Sequence, residues 1–516
     1  MRQPFSASSA SSAGDDPPVA RLFAEHAPAI FAYLRLRTAA AQETEAIERV
    51  RLRLAARAAM PTARALRTEH ERLQVFPPAP PHALLTHPAR HARPRARLRI
   101  FLGSAAAVLA VGCLLGGFLT VLRVRQATPV SGGYTWHVIP SPNTPLAVNT
   151  LTSITVRTST DAWAWGVANL ASANGSGVIS NPVSQPLVER WDGQHWRIIA
   201  TPPTQQGGAI ADIVALASDN AWAVGNQLAG GPENTNGASL IEHWDGHNWT
   251  FQPDQVFGGG LSGIAALSAN DIWAVGDSGD PAGESGLIQH WDGHTWQAVA
   301  HPIPPEGVRF SGITALAPND IWAVGSMLHP ADSAAVFEHW DGSQWRMVPS
   351  PAIDPFNLGP LRSHSQFFAI SAVSATDIWA AGVTHPAIFI PNSSVPFFEH
   401  WDGHTWSLVN GPSVDAQIAD IVALGPDDVW AVGTASTPGL NLNPDVAQQG
   451  QGLIEHWDGQ SWSVIANPTP RAFTSLSGVA RDPSTPGKVW VAGFVGPAQD
   501  QGDQLSDTQT LIETNQ

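Results

Sequence analysis

The segment "LIEHWDGHNW", Leu240–Trp249, returns as "LIQHWDGHTW" (287–296), "FEHWDGSQW" (337–345), "FEHWDGHTW" (398–406) and "LIEHWDGQSW" (453–462), after an earlier copy, "ERWDGQHW", at Glu189–Trp196. A second pattern alternates with it: "DAWAWG", "NAWAVG", "DIWAVG" twice, "DIWAAG", "DVWAVG" and "KVWVAG". Its first tryptophans are Trp163, Trp222, Trp273, Trp322, Trp379, Trp430 and Trp490. These seven markers lie 49 to 60 residues apart, a period that signals a solenoid or a propeller.

The elements within each repeat separate the two. Nine residues before the marker Trp stands Ile154, Ile213, Ile264, Ile313, Ile370 or Ile421, opening a short apolar run, strand a. A polar turn such as "APND" leads into "IWAVG", strand b, and a longer loop into "LIEHW", strand c. Asp-Gly then turns the chain into strand d, because Gly accepts the positive φ that such hairpins need. A four-residue loop makes Trp244 and Trp249 a direct cross-strand pair, a contact contributing about 0.2–1 kcal/mol. No repeat carries a helical period, which excludes a helical solenoid.

The ends complete the count. Seven b strands face only six "WDG" hairpins; the seventh strand c is "TLIETN", Thr510–Asn515, with no strand d after it. "YTWHVIPSP", Tyr134–Pro142, matches "QSWSVIANP" and stands alone before the first strand a. The sequence therefore predicts an all-β, seven-bladed β-propeller over 134–516, closed by its N-terminal strand, which removes the open edges of a linear stack. These Trp-rich, four-stranded units resemble the repeats of kelch and galactose-oxidase-like propellers. The resemblance is one of architecture: the kelch Gly-Gly doublet is absent, and "WDGxxW" lacks the residue that sialidase-type Asp-boxes place between Asp and Gly. It implies the fold and no activity.

Charge divides the chain. Residues 1–99 hold 16 Arg and 8 acidic residues, whereas 126–516 hold 9 basic and 35 acidic ones, a balance of −26. Such a surface repels phosphate backbones, so no nucleic-acid partner is expected for the propeller. The single cysteine, Cys113, excludes an intramolecular disulfide. It lies in "IFLGSAAAVLAVGCLLGGFLTVL", Ile100–Leu122, which is uncharged and at about 1.5 Å per residue spans roughly 35 Å, enough for a bilayer core. Arg90, Arg93, Arg95, Arg97 and Arg99 precede this predicted transmembrane helix and only Arg123 and Arg125 follow. The positive-inside bias places the N-terminus in the cytoplasm and the propeller outside the cell membrane.

Before the span the sequence predicts a disordered tail (1–18), a short α-helical cytoplasmic segment (19–76) and a Pro/Arg/His-rich linker (77–99); a second linker, 123–133, follows it. In "VARLFAEHAPAIFAYLRLRT", Val19, Leu22, Phe23, Ile30, Phe31 and Leu34 share one helical face. The stretch is similar to the opening of the core helical region of bacterial sigma factors over 19–60 and departs from it after Thr38. The resemblance implies a cytoplasmic protein partner for 19–76.

For function, a pattern present at the same strand position of every blade reads as a construction joint. His243, His290, His339, His400 and His456 sit in different blades, which argues against a shared metal ion. Asp161, Asp271, Asp320, Asp377 and Asp428 read as turn-formers that bond their own backbone. All 21 Trp lie in the propeller, 20 on repeat positions and Trp165 in addition. No catalytic, metal or cofactor constellation is expected: the propeller has no Cys, Tyr134 is its one Tyr, and neither "GxSxG" nor "HExxH" occurs. A carboxylate pair converging from distant blades is the remaining route to hydrolase or lyase chemistry. The b–c and d–a loops differ between blades and share one face, where binding residues concentrate. There Arg309, Arg362, His364, His385 and Arg471 are the scarce cationic groups in reach of a polar or anionic ligand, protein or glycan. The favoured function is a non-catalytic binding module; the second is a transmembrane signalling protein.

Overall fold

The computed structural model describes residues 133–515 except 147, 170–183, 204–206, 228–237, 255–258, 279–285, 305–306, 329–334, 352–363, 386–393, 413–415, 437–449, 469–472 and 497–507. The predicted tail, cytoplasmic helices, linkers and transmembrane helix therefore lie outside the described residues, among which no helix is long and apolar enough to cross a membrane.

Strand formation follows the sequence period. In blade 3, strand a is Gly260–Ser268, b is Asp271–Asp277, c is Gly286–Trp291 and d is Trp296–Ala298. Strand b, DIWAVGD, carries the β-branched and aromatic residues that favour a pleated, buried surface, and strand a, GLSGIAALS, pairs with it through Leu, Ile and Ala. Seven sheets of this kind form, all four-stranded and antiparallel, and strand a of each packs on strand a of the next around the ring. The seventh sheet joins Phe473–Arg481, Val489–Gly496 and Gln509–Asn515 to the N-terminal strand Trp136–Ile139, in the register Trp136↔Asn515 to Ile139↔Ile512. Beyond that register, Thr510 N donates to Asn143 Oδ1 at 2.9 Å, the Ser141 and Thr510 hydroxyls bond to each other, and Asn149 N donates to Thr508 O at 3.0 Å. The ring is closed by its N-terminal strand, as the count of hairpins requires.

The first recurring glycine, ending "WAVG", is fixed by strand a. A bulge just before the marker Ile presses a strand-a carbonyl onto strand b. A Cβ on Gly225, Gly276, Gly325 or Gly433 would lie 1.9–2.0 Å from that oxygen, where no side chain fits. The "WDG" glycine answers to its turn. In blade 3, Asp292 Oδ1 accepts the N–H groups of His294 and Thr295, both at 2.8 Å, and Gly293 takes φ +92°. The flanking tryptophans pair as expected, Trp244↔Trp249 in register with ring centroids 5.8 Å apart.

The core sits in the seams between blades. At each seam the strand-b Trp of one blade meets the "WDG" Trp pair of the next, for example Trp322 with Trp401 and Trp406 at 5.0 and 5.6 Å. At the sixth seam Tyr134 and Trp136 replace that pair, 4.7 and 5.7 Å from Trp430, and at the seventh Trp490 meets Trp191 and Trp196 at 5.6 and 6.1 Å. Trp165, outside the repeat, is buried at the first seam and donates to Ala211 O of blade 2 at 2.9 Å. Aromatic pairs of this offset or edge geometry contribute about 0.5–1.5 kcal/mol each beyond area burial.

Candidate functional site

The recurring polar residues assemble within blades. In blades 3 to 6, Oδ1 of Asp271, Asp320, Asp377 or Asp428 accepts the indole N–H of the marker Trp two residues on, at 2.7–3.1 Å. The same oxygen accepts Nε2–H of His290, His339, His400 or His456 at 2.8–2.9 Å. Each imidazole also lies against that Trp, as in His290 on Trp273 with centroids 4.3 Å apart. These aspartates are therefore not the turn-formers expected from sequence: as first residues of strand b they reach across to side chains of b and c. The backbone-bonding role belongs to the "WDG" aspartates, Asp192, Asp245, Asp292, Asp341, Asp402 and Asp458, whose carboxyls the turn N–H groups hold below the usual range.

Blades 1 and 2 depart from the pattern and lose its indole bond, Trp163 Nε1 and Trp222 Nε1 having no partner. In blade 1, Arg190 replaces the His, donates from Nε to Asp161 Oδ1 at 3.1 Å and lies 4.8 Å over Trp163. In blade 2, Asn220 replaces the Asp; it accepts from His243 at 3.0 Å and leaves Trp222 Nε1 without a partner. Each strand-c histidine of the refrain is thus engaged inside its own blade, and among the described residues no three His, Cys, Asp or Glu side chains gather as a metal centre requires.

Two acidic sets were not singled out in the sequence. The first is the acid of "LIEHW", two residues before the Trp: Glu189, Glu242, Gln289, Glu338, Glu399, Glu455 and Glu513 are all 0 % exposed. Each meets the strand-d end of the preceding blade where a partner is present. Ser350 Oγ donates to Glu399 at 2.9 and 3.0 Å, and His301 Nδ1 lies 3.3 Å from Glu338 Oε1. Where the preceding blade offers an acid, Asp254, the position is Gln289, whose amide donates to it at 3.1 Å. Burial pushes Glu189, Glu242 and Glu513 up to about 8. The signal was present, since an acid inside an apolar run repeated in six copies is not a surface residue.

The second set is Asp212 and Asp420, next to the marker Ile of blades 2 and 6. Asp212 Oδ1 accepts Ile213 N–H at 2.8 Å and its Oδ2 accepts Ile264 N–H of blade 3 at 3.0 Å. Asp420 does the same with Ile421 and, in blade 7, Val479, at 2.8 and 2.9 Å. Desolvation at these half-buried positions on the inner strands pushes both up to about 7, against the lowering effect of those N–H groups. They are the converging acids that a hydrolase reading asks for, yet all four oxygens accept backbone N–H groups, each Oδ1 within its own strand and each Oδ2 across a seam.

The loop-face candidates are placed in part. Arg309 begins strand a of blade 4 and its Nε lies 3.3 Å from Asp277 Oδ2 at the end of strand b of blade 3. His364 and His385 are register partners at the loop end of strands a and b in blade 5. Arg362 and Arg471 lie outside the described residues. The described candidates thus stand at loop-side strand ends, two of them opposite each other.

Neither a protein family nor a curated protein matches the sequence of the chain. Among solved structures it is similar to YCF48 bound to D1 peptide, with 15 % identity over 75 % of this chain and 97 % of that one, TM-score 0.44. It is also similar to a phage phi92 endosialidase, with 10 % identity over 74 % and 69 % of the two chains, TM-score 0.43. A third is the Aleuria aurantia lectin with a fucosylated sugar, with 13 % identity over 64 % and 99 %, TM-score 0.35. At such identities the likeness carries no ligand or activity across.

Proposed function

We propose that the chain is a single-pass membrane protein, N-terminus cytoplasmic, whose extracytoplasmic propeller is a non-catalytic binding module for a polar or anionic protein or glycan. The observation that supports it most is the division of labour among residues. The repeated Trp, Asp, His and Glu are engaged in seams and turns, whereas the loop-side strand ends carry residues that do not repeat, Arg309, His364 and His385. The acidic balance of 126–516 keeps nucleic acid off the list of ligands. The kelch-like and sigma-factor-like affinities rest on the sequence resemblances. The sigma-like stretch favours a second reading, in which ligand binding outside alters what residues 19–76 hold inside. Hydrolase chemistry gains no support from Asp212 and Asp420, which bind backbone.

The test is to present the full chain in lipid nanodiscs to an array of neutral, sialylated and sulfated glycans and of acidic peptides, beside R309A/H364A/H385A. Retention of one class by the wild type, weakened tenfold or more in the triple variant, is expected. Equal retention by both proteins moves the site off this face, and no retention of any class sinks the reading.

A further inference from the structure

The strand that closes the ring lies between two buried acids with no cation. Glu513 stands opposite Val138 of the closing strand on one side and Val491 of strand b on the other. Asn467, from the strand-d end of blade 6, is the polar side chain nearest it, but neither oxygen of Glu513 nor the Asn467 amide nitrogen has a hydrogen-bond partner. Glu189, in blade 1, stands between Ala164 and Ile198 in its own sheet. Ser141, two residues past the closing strand, is the polar group nearest it from outside its blade, yet its hydroxyl bonds to Thr510 and neither oxygen of Glu189 has a hydrogen-bond partner. Both glutamates are 0 % exposed.

No charged side chain among the described residues answers either one. Arg190, adjacent to Glu189, turns to Asp161, and strand alternation sends His137 to the face opposite Val138. Asn467 and Ser141 are neutral. Burial without a counter-charge disfavours the carboxylate, so the neutral acid is the form that fits. The contrast with blade 4 is direct, since there the equivalent Glu338 has an imidazole, His301, within 3.3 Å.

We propose that the N-terminal strand is a proton-held latch: Glu189 and Glu513 keep it in place as neutral acids, and their ionisation frees it from the seventh sheet. Release separates Trp136–Ile139 from Gln509–Asn515 and leaves paired the sheets of blades 3 to 5, where Gln289, Glu338 and Glu399 have side-chain partners. The ring is then fastened in mildly acidic surroundings and loosened in alkaline ones, a property independent of any ligand on the loop face.

The experiment is hydrogen exchange of the full chain in nanodiscs from pH 5 to 9, corrected for the intrinsic rates, comparing peptide 134–142 with strand-b peptides of blades 3 to 5. In the wild type the opening constant of 134–142 is expected to rise about tenfold or more per pH unit through the window in which the open chain ionises and the closed one does not. Blades 3 to 5 lag behind. In E189Q/E513Q, whose amides stand in for neutral acids as Gln289 does in blade 3, the rise disappears. An opening constant that is flat in the wild type, or equally steep in the variant, overturns the proposal. Should the variant not fold, infrared spectra of the wild type decide: a neutral-carboxyl band at pH 7 that vanishes on alkalinisation supports it, and its absence overturns it.

Discussion

At the scale of single residues the chain repeats one arrangement, an Asp oxygen holding a Trp indole and a His imidazole, and tolerates a weaker copy in blade 2. There Asn220 leaves Trp222 Nε1 unpaired. Asn220→Asp supplies the carboxylate that four other blades set against both the indole and the imidazole, and thermal denaturation at pH 7 is expected to show a gain of about 0.5–1.5 kcal/mol. A loss would mean that the Asp works by something other than accepting these two bonds. Asp320→Ala runs the other way: it strands the donors of Trp322 and His339 and costs about 1–3 kcal/mol or more. The sequence made the structural role of these histidines legible, because ligands of one ion do not recur one per blade. It did not reveal their partner. A turn aspartate and a strand-first aspartate look alike until the hairpin register is known, and in this protein both kinds occur within each of five blades.

At the scale of the element, hairpin and seam rest on different physics. Gly342 takes φ +91°, and a Cβ there would lie 2.8 Å from the Asn319 Cβ. Gly342→Ala is expected to cost about 1 kcal/mol or more through strain and contact together, read as a lower denaturation midpoint with an unchanged slope. Trp322, at a seam and 3 % exposed, is a larger loss: Trp322→Ala should cost about 3–5 kcal/mol. Strand order, the cross-strand Trp pairs and the closing strand were all readable, since period-two patterning, Asp-Gly turns and an unmatched half-repeat are local signals. The burial of the seam acids was signalled by their recurrence inside an apolar run, but their partners were not, because what faces Glu399 belongs to the neighbouring blade some fifty residues away. The loop-face site was legible only as a face, since unrepeated loops carry no second copy to compare.

At the scale of the molecule the acids set how stability responds to pH. Burial raises Glu189, Glu242 and Glu513 to about 8 in the folded chain, from the ordinary 4.5. The folded form keeps these protons where the unfolded form has lost them, so the stabilisation is complete below about pH 4.5 and fades as pH rises towards 8. The "WDG" aspartates act oppositely, being held below the usual range, and their contribution fades as pH falls below about 4. Calorimetry of the full chain should therefore place the highest transition temperature in mildly acid buffer, with a decline through pH 8. A maximum above pH 8 would contradict the burial of these acids. Closure has a further consequence, for synthesis. Ser141 and its partner Thr510 are 369 residues apart, so at about 5–20 residues per second the first strand waits roughly 20–70 s for the last sheet to be made. During that interval the nascent chain carries an unpaired β-edge ending in Pro142, and the ribosome, rather than the fold, decides when the circle shuts.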